Sequence, residues 1–231
     1  MSKFVTIASV AASLMLTTSA GVASAQQQTP SADTLRPNGQ YFAQEFNNRQ
    51  LYASTEKAAD AYIESAKIAR CLATTGSIDG LVGSRRPSDE DFAALTGTLN
   101  GDRRDCLRNT RGGLPLMVSA SLAEEGLKAM DVEWEDRAMS LDMDEAEAFY
   151  LIAEEKASLD TIGRCLAVFS PGLAYKALNT EPGSTDEEGS FNTVYRSTPE
   201  CGLATAPTGV PIPFQRAALA HGLYQWMNRD D

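Results

Sequence analysis

Four cysteines and one histidine are the side chains in this 231-residue chain best suited to metal binding, redox chemistry or nucleophilic attack. Their spacing decides among those chemistries. Cys71 and Cys106 stand 35 positions apart, and Cys165 and Cys201 stand 36 apart. No C-x-x-C occurs, so neither a thiol-exchange motif nor the short spacing of a zinc site is present. His221 alone cannot complete a usual ligand set, and as a base it would need partners within reach. It reads as a structural or surface residue. No catalytic, cofactor-binding or metal-ligating residue is assigned from the sequence, and no cofactor is expected.

The cysteines read instead as two disulfides. Four cysteines allow three pairings, and the surrounding sequence favours one. Arg70-Cys71-Leu72-Ala73 recurs as Arg164-Cys165-Leu166-Ala167. Leu114-Pro115-Leu116 matches Val210-Pro211-Ile212, and Gly126-Leu127 matches Gly222-Leu223. Such ordered landmarks point to a duplicated unit, in which Cys71 pairs with Cys106 and Cys165 with Cys201. Closing a loop of that length stabilises by about 3–4 kcal/mol in the chain-entropy model. The repeated arginine reads as a complement to a helix C-terminal dipole, with a ligand-binding role as the sharper alternative.

Carboxylates are the other candidates. Asp131, Glu133, Glu135, Asp136, Asp142, Asp144, Glu145 and Glu147 form an acidic run between the two copies. The run lacks the glycine and closing glutamate of a calcium loop. It reads as a solvated connecting helix, with Asp142 or Asp144 capping the next one. The 31 acidic residues leave a carboxylate acid/base pair open, though nothing marks any two as close. There is no G-x-S-x-G, P-loop, H-E-x-x-H or dinucleotide fingerprint. Trp134 and Trp226 read as core or inter-copy contacts.

The elements that would position these residues are helical. In the first copy Ala58, Tyr62, Ile68 and Leu72 share a face, with a break at Thr74 to Gly76 and a short helix over Ile78 to Val82. Ser88 reads as an N-cap before Phe92, Leu95 and Leu99, with Cys106 continuing that face. Leu116, Ala120, Ala123, Leu127 and Met130 form the stripe of a closing helix. In the second copy Phe149, Ile152, Leu159, Ile162 and Leu166 form the first face. Ala174 to Leu178 reads as a short helix, Glu181 to Ser190 as a polar loop, and Phe191 to Tyr195 as a third helix ended by Pro199. Ile212, Arg216, Leu219, Leu223 and Trp226 reproduce the closing stripe.

The expected fold is therefore all-α: two tandem pseudo-repeats of about four helices, each closed by one disulfide. The repeats occupy residues 41–135 and 136–231. They follow a signal peptide over residues 1–25 and a polar, disordered leader over 26–40. The signal reading rests on Lys3, the apolar run from Phe4 to Leu16, and the small-residue site Ala23-Ser24-Ala25. No other run is long and apolar enough to suggest a span, so no membrane insertion is expected after cleavage. The formal net charge is −11, which repels nucleic acid and anionic lipid.

A Cys-Leu pair, a second cysteine about 35 residues later, an apolar-Pro-apolar step and a helix reading Leu219-Ala220-His221-Gly222-Leu223-Tyr224 together form a pattern. It resembles uncharacterised exported helical proteins of alphaproteobacteria. In those proteins an acidic residue stands where His221 stands here. The resemblance implies export and agrees with the cysteine pairing; it implies no activity. Periplasmic or secreted placement follows. The leading functional expectation is a non-catalytic binding or interaction module of the cell envelope, its partner unknown, with an envelope protein as the candidate. A hydrolase using unrecognised carboxylates and a purely structural or stress-related protein are the alternatives. Intact mass of periplasmic material should show a chain beginning at Gln26; retention of residues 1–25 would refute cleaved export.

Overall fold

Helix α1, Thr55–Thr75, begins where Ser54 accepts the Lys57 N–H and buries Ala58, Tyr62, Ile68 and Leu72 along one side. It belongs to a computed structural model that describes residues 54–76, 78, 81–82, 89–151 and 158–229. The signal peptide, the leader, the start of the first repeat, Ser88 and Ile152 lie outside the described residues. Of the expected short helix only Ile78, Leu81 and Val82 are described; there the Leu81 N–H bonds to Ile78 O at 2.9 Å, closing a turn.

The chain then forms α2, Asp89–Asn100; a 3₁₀ turn, Arg104–Leu107; and α3, Pro115–Ala129. The second half contains α4, Met143–Tyr150; α5, Leu159–Phe169; α6, Pro171–Leu178; and α7, Thr185–Ser197. A second 3₁₀ turn, Pro199–Cys201, precedes α8, Ile212–Met227. No strand occurs among the described residues, so the all-α class holds. Both expected disulfides are present. Cys71–Cys106 and Cys165–Cys201 have Cα separations of 5.5 and 5.7 Å and leave no free cysteine. Each joins a helix, α1 or α5, to a 3₁₀ turn. Cys106 thus departs from expectation: α2 stops at Asn100-Gly101, and the cysteine sits on the following turn.

Three other expectations change. The acidic segment is irregular from Asp131 to Leu141 rather than helical. It is held by backbone bonds from Gly172 and Leu173 to Glu135 O and Asp136 O, at 2.8 and 3.3 Å, which compete with a helix there. Its carboxylates are nonetheless all exposed, and Asp142 does cap α4 by accepting the Asp144 and Glu145 N–H groups. The face from Phe149 to Leu166 is split, because α4 ends at Tyr150 and Ser158 starts α5 with a fresh cap on Thr161. The expected polar loop over Glu181 to Ser190 is helical from Thr185. Ser184 caps Glu187 N, Glu187 reaches back to the Gly183 N–H, and three acidic residues fill the first turn. That is a variant of the capping box.

The main core draws on both halves. Tyr62, Leu95, Leu122 and Leu127 pack in the same cluster as Leu166, Phe191, Leu219 and Leu223. A smaller cluster gathers Ala146, Cys165, Val168, Phe169 and Trp226. The centre is α8, which packs on α5 and α3 and also reaches α1, α6 and α7. It is buried on nearly every side rather than along one stripe. The tightest crossing is α5 on α8. A Cβ on Gly163 would lie 2.6 Å from the Ala218 backbone, and one on Gly222 would lie 2.9 Å from the Arg164 backbone. Gly189 in α7 has open space instead. Gly163→Ala should therefore lower stability by about 1–3 kcal/mol through overpacking. Gly189→Ala should raise it by about 0.5–1 kcal/mol through helix propensity. Denaturant titration checks both, and a neutral Gly163→Ala would refute the close approach.

Candidate functional site

The most concentrated chemistry in the described residues is a buried ionic cluster around Arg216, one turn into α8. Its Nε and Nη2 donate to the two oxygens of Glu124 on α3, at 2.6 and 2.9 Å. Nη1 donates to Glu187 on α7 at 3.1 Å and to Thr180 O at 3.0 Å. Nη2 also donates to Leu178 O at the end of α6. All five guanidinium N–H groups are thus used. The Tyr62 hydroxyl, from α1, donates to Glu124 Oε1 at 2.6 Å, and the Arg216 guanidinium carbon lies 5.3 Å from the Tyr62 ring centre.

Burial sets the electrostatics. It would lower the Arg216 pKa, but Glu124, Tyr62 and Glu187 outweigh it and hold the guanidinium charged. Burial pushes the Glu187 carboxyl above its usual range, offset in part by the Gly183 N–H and Arg216. Burial and the Glu124 charge push the Tyr62 phenol well up.

Over this cluster opens a cleft of about 300 Å³. Tyr62, Glu124 and Arg216 form part of its lining, with Arg70, Ser121, Glu125, Lys128, Thr180 and Glu181. Ser121 is buried, and its hydroxyl makes no hydrogen bond of normal geometry, although it lies near enough to lower the Tyr62 pKa slightly. Glu125 accepts from Lys128 at 2.9 Å and stands 3.9 Å from Arg70 Nε.

The residues singled out in the sequence are not gathered at this cleft. The four cysteines serve as staples in their two disulfides. His221 is buried between helices, its Nε2 3.1 Å from Ser119 Oγ and its Nδ1 without a hydrogen-bond partner. Burial and the nearby Arg164 charge lower its pKa to about 4, so it is a neutral core residue at pH 7. The two repeated arginines differ. Arg70 is exposed beside Glu125 and lines the cleft, whereas Arg164 is buried in α5. Neither lies in the last turn of its helix, which overturns the dipole reading. Trp134 stacks on Tyr175 with ring centres 4.4 Å apart, and Trp226 packs against Phe149, so both tryptophans are packing contacts.

Sequence reasoning missed Glu124, Glu187 and Tyr62 as a set. One signal was available: Arg216 breaks the apolar stripe of α8, and a charged residue on a core face needs buried partners. Chemically the cluster is closed. Both Glu124 oxygens are held, so taking a proton from a substrate would uncover a buried guanidinium. No family profile, curated protein or solved structure matches the chain. No described helix is long and apolar enough to cross a membrane.

Removing Arg216 leaves two buried carboxylates facing each other. Arg216→Met should destabilise by about 3–5 kcal/mol, whereas the triple change with Glu124→Leu and Glu187→Leu should recover much of that loss. Equilibrium unfolding decides it: a cost below about 1 kcal/mol for Arg216→Met would place the pair among exposed, weak ones.

Proposed function

We propose that the protein is an exported, non-catalytic binding or interaction protein of the cell envelope. The observation that carries this reading is the contrast between the floor and the rim of the cleft. At the floor Tyr62, Glu124 and Arg216 are bonded to one another and cannot change partners without stranding a buried charge. At the rim Arg70, Lys128 and Glu181 are exposed. A fixed floor under accessible charged groups suits recognition, because little ordering remains to be lost on binding. The one imidazole, His221, is buried and does not line the cleft, and of the rim carboxylates Glu125 is already paired with Lys128.

Export is supported by the signal-like first 25 residues and by two disulfides, which persist in oxidising compartments. The negative charge favours partners other than nucleic acid or anionic lipid.

The reading is tested by placing a photoreactive residue at Lys128, on the cleft, and at Thr193, on a separate groove beside α7. Irradiation in intact cells should give a discrete adduct from position 128 and none from position 193. The captured molecule should remain chemically unchanged when incubated with purified protein. A processed product would move the protein to the hydrolases; labelling that is absent or equal at both positions would leave a purely structural role.

A further inference from the structure

We infer that the cleft bounded by α1, α3 and the segment from Leu178 to Pro182 is a binding site for a small zwitterion of the α-amino-acid class. The inference rests on the binding reading above and narrows it to a ligand class.

Size is the first argument. A volume of about 300 Å³ lies at the lower end for ligand pockets. It suits a metabolite rather than a folded or polymeric partner.

An unused polar group is the second. Ser121 lines the cleft, is only 2% exposed, and its hydroxyl has no hydrogen bond of normal geometry. Leaving such a group unmet costs about 1–3 kcal/mol. A ligand oxygen accepting from Ser121 Oγ would remove that cost. Arg216 has no acceptor to offer and its donors are committed to Glu124, Glu187 and two carbonyls, and the Tyr62 hydroxyl oxygen, though close enough for Ser121 to lower its pKa, makes no hydrogen bond of normal geometry with it.

Charge is the third. The rim presents both signs within one small opening: Arg70 and Lys128 against Glu125 and Glu181. Glu125 already accepts from Lys128, while Arg70 Nε stands 3.9 Å from it, beyond hydrogen-bond length. The Arg70 side chain is 64% exposed. Its planar fork is the natural partner for a carboxylate. Glu181, also exposed and on a different segment of the lining, is the natural partner for an ammonium. A ligand of one sign would meet a like charge as well as an unlike one. A zwitterion satisfies both. A divalent cation fits less well, since the described residues hold no group of three His, Cys, Asp or Glu side chains able to ligate one.

The site is tested by isothermal titration of the intact protein with glycine, alanine, glutamate, lysine and glycylglycine at millimolar concentration. At least one should bind saturably. N-acetylglycine, which lacks the ammonium, and glycine ethyl ester, which lacks the carboxylate, should each bind at least about tenfold more weakly than the parent. Arg70→Gln and Ser121→Ala should each weaken the best ligand by about tenfold; the ligand-free thermal midpoint should stay unchanged in Arg70→Gln and should not fall in Ser121→Ala, which removes the unmet hydroxyl. The site assignment is overturned if no zwitterion binds, if a single-charge analogue binds as well as its parent, or if both variants keep full affinity. Photo-capture from position 128 without zwitterion binding would reject the ligand class and leave the binding reading standing; loss of both would reject both.

Discussion

The fold depends on keeping one guanidinium satisfied in a dry interior. Arg216 is held by Glu124 from α3, Glu187 from α7 and carbonyls at the end of α6, with Tyr62 of α1 closing over Glu124. Five helices must be in place before that charge is fully compensated. Apolar packing alone tolerates small slips between helices, whereas a five-donor arginine with fixed acceptors does not. The cluster therefore sets register among elements that are far apart in sequence. It also makes the cleft floor rigid, since the same groups line both.

The two halves share a disulfide layout but not the chemistry around it. Position 70 carries an exposed arginine near Glu125, and position 164 carries a buried arginine near His221. Glu125 and His221 stand at the same sequence offset that relates the closing helices. An exposed ion pair on one side thus corresponds to a buried arginine beside an imidazole on the other, where the imidazole stays neutral. The cleft lies where the first arrangement is.

Local features were legible in the sequence because their causes are local. The cysteine spacing and flanking tetrapeptides led to the right pairing, and the stripes from Leu116 and Ile212 located α3 and α8. The Asp142 cap could be read from its position before an apolar segment. The Ser184-x-x-Glu187 signature was equally local, but its glycines and acidic residues suggested a loop. Other features depend on tertiary partners and leave little local trace. The bonds from Gly172 and Leu173 that hold the acidic segment extended are one example. The selection of Glu124 and Glu187 from 31 acidic residues is another. That α8 is central rather than amphipathic follows only from what surrounds it, since its buried Gln215, Arg216, His221 and Gln225 disguise its position.

The position of α8 bears on how the chain matures. A ribosome or a translocation channel delivers α1 to α7 before the helix on which α1, α3, α5, α6 and α7 all pack. Until it arrives, α3 has no partner for its second face, and Glu124 and Glu187 lack their cation. Each disulfide can close earlier, because Cys71–Cys106 and Cys165–Cys201 both lie upstream of residue 212. Oxidation can therefore precede consolidation of the core. The two crosslinks would then shrink the unfolded ensemble of a chain that is still waiting for its last described helix, narrowing the search at the stage when its apolar surfaces are most open to wrong associations.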